Sequence, residues 1–156
     1  MIALFLFLIF GTNCILNNYS TSKNGINFLT IYERYISVAV EKNKEGFYCV
    51  GFNHCGEDVK YGTYVSREKA REFLSEDLKK FEKWVNDPNY VTVKLNQNQF
   101  DALVCYAYEF GSDRLKELCY KKSISEIEFH IDDYYYGSAG ERNKGENLKK
   151  LFNRLN

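Results

Sequence analysis

A carboxyl group set among apolar neighbours on a helix can serve as a general acid, and Glu33 occupies such a position. In the run 25–36, Ile26, Leu29, Glu33 and Ile36 fall at i, i+3, i+7 and i+10, so they share one helical face. Burial on that face would favour the protonated form and keep a proton available near neutral pH. The same spacing also suits a carboxylate compensated by a buried Arg or Lys. A little further on, residues 46–54 (Gly-Phe-Tyr-Cys-Val-Gly-Phe-Asn-His) form a glycine-punctuated segment that can present a second polar group to an attacking water. The chemistry implied is hydrolysis, with a proton donor on one side of the bond and a positioned water on the other.

The elements that must hold these groups follow from punctuation and periodicity. Phe47–Val50, Phe52–Cys55 and Val59–Tyr64 carry β-branched and aromatic residues between glycines, which predicts a small antiparallel sheet. Ser66 caps a helix striped by Ala70, Phe73, Leu74, Leu78, Phe81 and Val85, about 20 residues or ~30 Å long before Pro88 stops it. Asp77 lies on its apolar face and needs a partner; His54 is the candidate, in a structural pair whose charges compensate each other. Asn96 and Gln99 open a buried helix through Phe100, Leu103, Val104, Ala107 and Tyr108 to a stop at Gly111. Residues 112–121 read as helical, Ser123 with Glu126 opens another helix to about Tyr135, and 137–145 reads as a loop before a last helix over 146–155. The fold class is α+β and mostly helical, with a small hairpin lobe and a helical lobe joined by the long helix across a cleft.

Two blocks carry a family resemblance. Gly46–His54 resembles the Gly-x-x-Thr-x-Gly-x-Gly-His pattern of phage-type lysozymes and endolysins of glycoside hydrolase family 24, and Asn98–Val104 (Asn-Gln-Phe-Asp-Ala-Leu-Val) resembles that family's second signature. The likeness extends over roughly residues 22–156 and implies a lysozyme-like fold. It also implies that Glu33 is the acid, that Asn43 and Cys49 stand at the catalytic Asp and Thr positions, that Phe52 and Glu109 face the cleft, and that His54 pairs with Asp77. The implied reaction is inverting hydrolysis of glycosidic bonds in peptidoglycan or a related aminosugar polymer, without metal or other cofactor.

The departures from the pattern are specific. Nine residues separate Glu33 from Asn43, where the family has eight. Asn43 can hold a water by hydrogen bonds but cannot take a proton, and Glu41 and Glu45 flank it as possible substitute carboxylates. Cys49 is a weaker hydrogen-bonding group than Thr, and Glu109 replaces an amide. These departures motivate a second reading, a catalytically impaired lysozyme-like protein that binds glycan.

Composition narrows the classes further. With 156 residues, 45% hydrophobic and 27% charged, and a single Pro, the chain reads as one globular domain. Its 21 basic and 21 acidic residues cancel, which argues against nucleic acid as a partner. A C-terminal basic run (Lys144, Lys149, Lys150, Arg154) suits either a solvated helix face or contact with an anionic glycan. The two histidines are 76 positions apart and suggest no metal site. Asp132 to Tyr136 fits packing and solvation or the lining of a sugar groove.

Residues 1–18 read as a secretory leader ahead of a lysozyme-like domain over 19–156. The apolar run Ile2–Phe10 is far shorter than the ~20 residues that cross a bilayer, so stable membrane insertion is not expected, although a signal-anchor is the lesser alternative. A secreted monomer is the expected form. Removal of Cys14 with the leader leaves Cys49, Cys55, Cys105 and Cys119, which admit three pairings; local pairing of 49 with 55 and of 105 with 119 is sterically plausible.

Overall fold

The structure, a computed structural model, describes residues 17–154. Ser22 caps the first helix, α1 (Lys23–Tyr32), by accepting from the Asn24 N–H. The helix ends four residues before the expected Ile36. Its last turn closes through the Glu33 N–H, which donates to the Leu29 carbonyl at 2.8 Å, and Glu33 itself is extended (φ −81°, ψ 136°). Glu33 is therefore a C-cap residue and not a residue of the helix body. The cause is competition from β pairing: Ile36 exchanges both backbone hydrogen bonds with Gly51, at 2.8 and 2.7 Å, so the chain leaves the helix to join the sheet.

That sheet is more irregular than the three strands expected. Only β1 (Cys49–Val50) and β2 (His54–Cys55) form a ladder, antiparallel, with Cys49 opposite Cys55. Isolated bridges Ile36–Gly51, Lys42–Tyr48 and Val38–Tyr64 lay residues 36–42 between the hairpin and residue 64. The ladder is short because the chain must turn at Gly51 and Asn53, both at positive φ (69° and 65°).

Ser66 caps α2 (Arg67–Asn86), a 20-residue helix whose buried stripe is Ala70, Leu74, Leu78, Phe81 and Val85, and which stops just before Pro88. Asn96 and Gln99 form a capping box for α3 (Gln97–Cys119). As expected, one helix stops at Gly111 and another follows it: Gly111 is non-helical (φ 80°, ψ −177°), a conformation open to Gly, and divides α3 into two helices across a kink. Ser123 caps α4 (Ile124–His130), which ends about five residues earlier than expected. The stretch read as a loop over 137–145 is instead mostly helix: Ser138 and Glu141 form a capping box that starts α5 at Ala139, running to Phe152. Gly145 sits inside α5 because the helix presses on Tyr135; a Cβ there would lie 2.7 Å from the Tyr135 Cβ.

Nearly every residue of α3 from Asn98 to Ala107 is buried, and α1, α2, α4 and α5 all contact it. Asp101, fully buried on α3, accepts from the Ser22 N–H at 2.9 Å, from the Ser22 hydroxyl, and from Gln97 Nε2 at 2.9 Å. The segment ahead of α1 is also packed: Asn17 donates to the Val93 carbonyl and accepts from the Leu95 N–H, each at 3.0 Å. The packed domain thus includes Asn17, two residues ahead of the expected start at 19, while the rest of the expected leader, residues 1–16, lies outside the described residues. No helix among the described residues is long and apolar enough to cross a membrane.

Cys49 and Cys55 form a disulfide across the hairpin. The pairing of Cys105 with Cys119 is not formed. Both thiols are free and buried on either side of the Gly111 kink, and the Cys105 sulfur faces the Gly25 carbonyl at 3.7 Å. Burial pushes both thiols well above the usual range, so they are poor nucleophiles.

His54 fastens the hairpin to α2. Its Nδ1 lies 2.9 Å from Asp77 Oδ2, its Nε2 lies 3.0 Å from Asp58 Oδ2, and its ring stacks on Phe73 at 4.3 Å. Burial alone would pull the imidazole down, but the two carboxylates outweigh it and hold the histidine above 6.5.

Two outcomes are expected. Asp101→Ala strands the part-buried Ser22 donors and lowers unfolding free energy by about 2 kcal/mol, read as a lower urea midpoint at unchanged slope. For His54, a raised folded pKa means that its stabilisation is complete below the unfolded value of about 6.5 and is lost as pH rises through the folded value. The melting-temperature gap between the protein and His54→Gln therefore narrows as pH rises above the unfolded value of about 6.5.

Candidate active site

Glu33 and two further charged side chains meet where α1, α3 and α5 converge. Lys144 Nζ lies 3.4 Å from Glu33 Oε1 and 2.5 Å from Glu109 Oε2, and only 12% of the Lys144 side chain and 19% of the Glu33 side chain is exposed. The carboxylate partnered by a buried basic residue is thus the arrangement present, but the lysine is shared and sits closer to Glu109. Lys144 also lies 5.8 Å above the Tyr32 ring. Two phenols surround the group. Burial, followed by the Glu109 charge, pushes Tyr135 up; burial, followed by the Glu33 charge, pushes Tyr108 up. Both remain neutral at physiological pH.

Lys144 was legible only as one member of the C-terminal basic run. Its signal is the one that singled out Glu33: Lys144, Leu148 and Leu151 stand at i, i+4 and i+7, which puts a charge on the apolar stripe of α5. Reading 137–145 as a loop hid that stripe.

The hairpin residues are placed as follows. Asn43 turns the hairpin: its Oδ1 accepts from the Glu45 N–H at 3.1 Å and the Phe47 N–H at 3.0 Å. The oxygen best suited to hold a water is therefore occupied by backbone donors. The Cys49 sulfur is committed to its disulfide with Cys55 and has no thiol to offer. Phe52, assigned to the cleft, is 2% exposed and packs on Tyr35 at 5.5 Å, so it belongs to the core; the tight turn, with Asn53 at φ 65°, leaves Asn53 exposed.

Asn53, Glu45, Asp77, Lys80 and Tyr108 line a pocket of about 310 Å³. Glu41 is exposed and is not among its lining residues. The pocket joins the two halves of the site through Tyr108, which faces the pocket and feels the Glu33 charge. The arrangement combines a largely buried carboxyl group, a shared ammonium, neutral phenols and one hairpin carboxylate, group types that general acid–base chemistry uses.

Known proteins share this arrangement of elements. The muramidase domain of SpmX from Asticaccaulis excentricus superposes with a TM-score of 0.77 at 23% identity, covering 88% of this chain and all of that one. The endolysin of Escherichia coli O157:H7 phage FAHEc1 superposes with a TM-score of 0.72 at 20% identity, covering 88% and 96% of the two chains. In sequence, the endolysin of Bacillus phage B103 is 36% identical over 100 residues, 61% of this chain but only 36% of that protein, so the chain spans about a third of that relative's length. The phage lysozyme profile matches residues 32–154, from the end of α1 through α5, and the chain belongs to the phage lysozyme family.

Proposed function

We propose that the protein is a lysozyme that hydrolyses glycosidic bonds of peptidoglycan, with Glu33 as the general acid. The observation that carries this reading is the position of Glu33: a largely buried carboxyl at the end of α1, beside neutral phenols and a lysine bonded more closely to Glu109 than to it. A carboxyl so placed can deliver a proton to the glycosidic oxygen, while Lys144 orients it and receives its charge once the proton has left. Family membership and the likeness to muramidases and endolysins support the substrate class.

The second group is Glu45 in this reading. Asn43 lacks a proton-accepting site and spends its oxygen on the turn, whereas Glu45 lines the pocket with Asn53 and Tyr108. Glu45 takes a proton from the attacking water, and Asn53 and Tyr108 position the sugar. Export as a monomer behind the apolar leader would bring the enzyme to the wall, and an oxidising compartment suits the Cys49–Cys55 disulfide.

A second reading, a glycan-binding protein with little turnover, draws on the same two observations: Asn43 is engaged in the turn and Cys49 is in a disulfide. Turbidity clearing and muropeptide release from purified walls separate the two. Glu33→Gln is expected to lower hydrolysis by roughly 100-fold or more while leaving the melting temperature within a few degrees, and Glu45→Gln to lower it by a similar factor. Full activity in Glu33→Gln removes the acid assignment. An inactive parent that still sediments with walls, and gains turnover on Asn43→Asp, establishes the binding protein instead.

A further inference from the structure

A second and larger pocket, about 520 Å³, opens between α1 and α5. That volume is within the ~300–1,000 Å³ of small-molecule sites. Its walls carry the carboxamides of Asn24, Asn27, Asn143 and Asn147 and the cations of Lys150 and Arg154, with no carboxylate among its lining residues. Among the described residues neither cation is paired with a carboxylate. On a chain of zero formal charge this is a locally positive concavity.

The wall is partly ordered before any ligand arrives. Asn147 Nδ2 donates to the Tyr32 hydroxyl at 2.8 Å and to Asn143 Oδ1 at 2.9 Å, while Lys150 Nζ donates to Asn147 Oδ1 at 3.3 Å. This network fixes Lys150 against the wall. Carboxamides offer donors and acceptors together, which matches hydroxyl and acetamido groups, and two unpaired cations match a carboxylate. Ile31, 75% exposed, and Tyr32 add an apolar edge for the carbon face of a sugar ring.

We propose that this pocket is a second carbohydrate site, separate from the Glu33 cleft, that binds an anionic aminosugar: an acetamido pyranoside whose peptide stem carries a free carboxylate, as in a muropeptide. The choice of ligand rests on the peptidoglycan reading above. The site gives the enzyme a hold on the polymer that does not depend on the bond being cut. It backs onto the catalytic group through Tyr32, whose hydroxyl bonds Asn147 and whose ring lies under Lys144.

The test uses the full protein, isotope-labelled, titrated with N-acetylglucosaminyl-N-acetylmuramyl dipeptide and, separately, with neutral tri-N-acetylchitotriose, followed by NMR. Saturable shifts are expected at Asn24, Asn27 and Asn147 with the muropeptide and much weaker ones there with the neutral sugar. Lys150→Glu combined with Arg154→Glu should weaken the α1/α5 response by about tenfold or more. The milder Lys150→Gln with Arg154→Gln should give a smaller loss in the same direction at unchanged melting temperature. Shifts confined to Asn53 and Tyr108, equal response to both sugars, unchanged affinity in the charge variants, or no shifts at all would each overturn the proposal. A protein that clears walls but shows no α1/α5 shifts overturns this inference alone. One that shows the shifts but never clears walls overturns the hydrolase reading alone.

Discussion

A helix buried on all sides has to obtain partners for its polar side chains from the elements packed around it, because water cannot supply them. The N-terminal half of α3 meets that constraint by binding its neighbours. Asp101 takes both donors of Ser22 and so fixes where α1 begins. Asn98 donates to the Arg154 carbonyl at 3.3 Å, just past α5, and the Cys105 thiol points at the Gly25 carbonyl 3.7 Å away. Each contact satisfies a buried group and fixes a neighbouring element. Position along α1 is what sets the location of Glu33, one residue beyond the helix.

The charge arrangement at the site depends on that framework. Glu33, Glu109 and Lys144 come from three different elements, and the geometry that brings them together is decided by packing: α1 held by Asp101, α3 kinked at Gly111 two residues after Glu109, and α5 pressed onto Tyr135 at Gly145. Two carboxylates sharing one ammonium in a half-dry setting repel each other unless the cation remains between them. Lys144 therefore both holds α5 to the rest and separates the two carboxylates. On the hairpin side, the disulfide and the Asn43 turn both stiffen the wall that carries Glu45 and Asn53.

Net charge conceals this organisation. The 21 basic and 21 acidic residues cancel in the sum, yet acidic and basic groups are sorted in space. Carboxylates concentrate around His54 and Lys144, whereas the pocket between α1 and α5 has cations and amides only. A neutral chain can thus present separate surfaces of distinct charge.

Much of this was legible in the residues. Helix caps at Ser66, Asn96 and Ser123, the stop before Pro88, the kink residue Gly111 and the His54–Asp77 contact all follow from local rules, because a cap, a proline or a lone charge on an apolar stripe carries its reason within a few positions. Long-range competition was not legible. The end of α1 at Tyr32 depends on Ile36 pairing with Gly51, and Phe52 went into the core while Asn53 turned outward. The sequence by itself determined the fold class and the long helix, and it singled out Glu33 as a charged residue among apolar ones. Only the tertiary structure decided that Lys144 is its partner, that Asn43 is engaged in a turn and that Glu45 faces the pocket, because those outcomes depend on which distant segment supplies each buried polar group with its hydrogen bond or counter-charge.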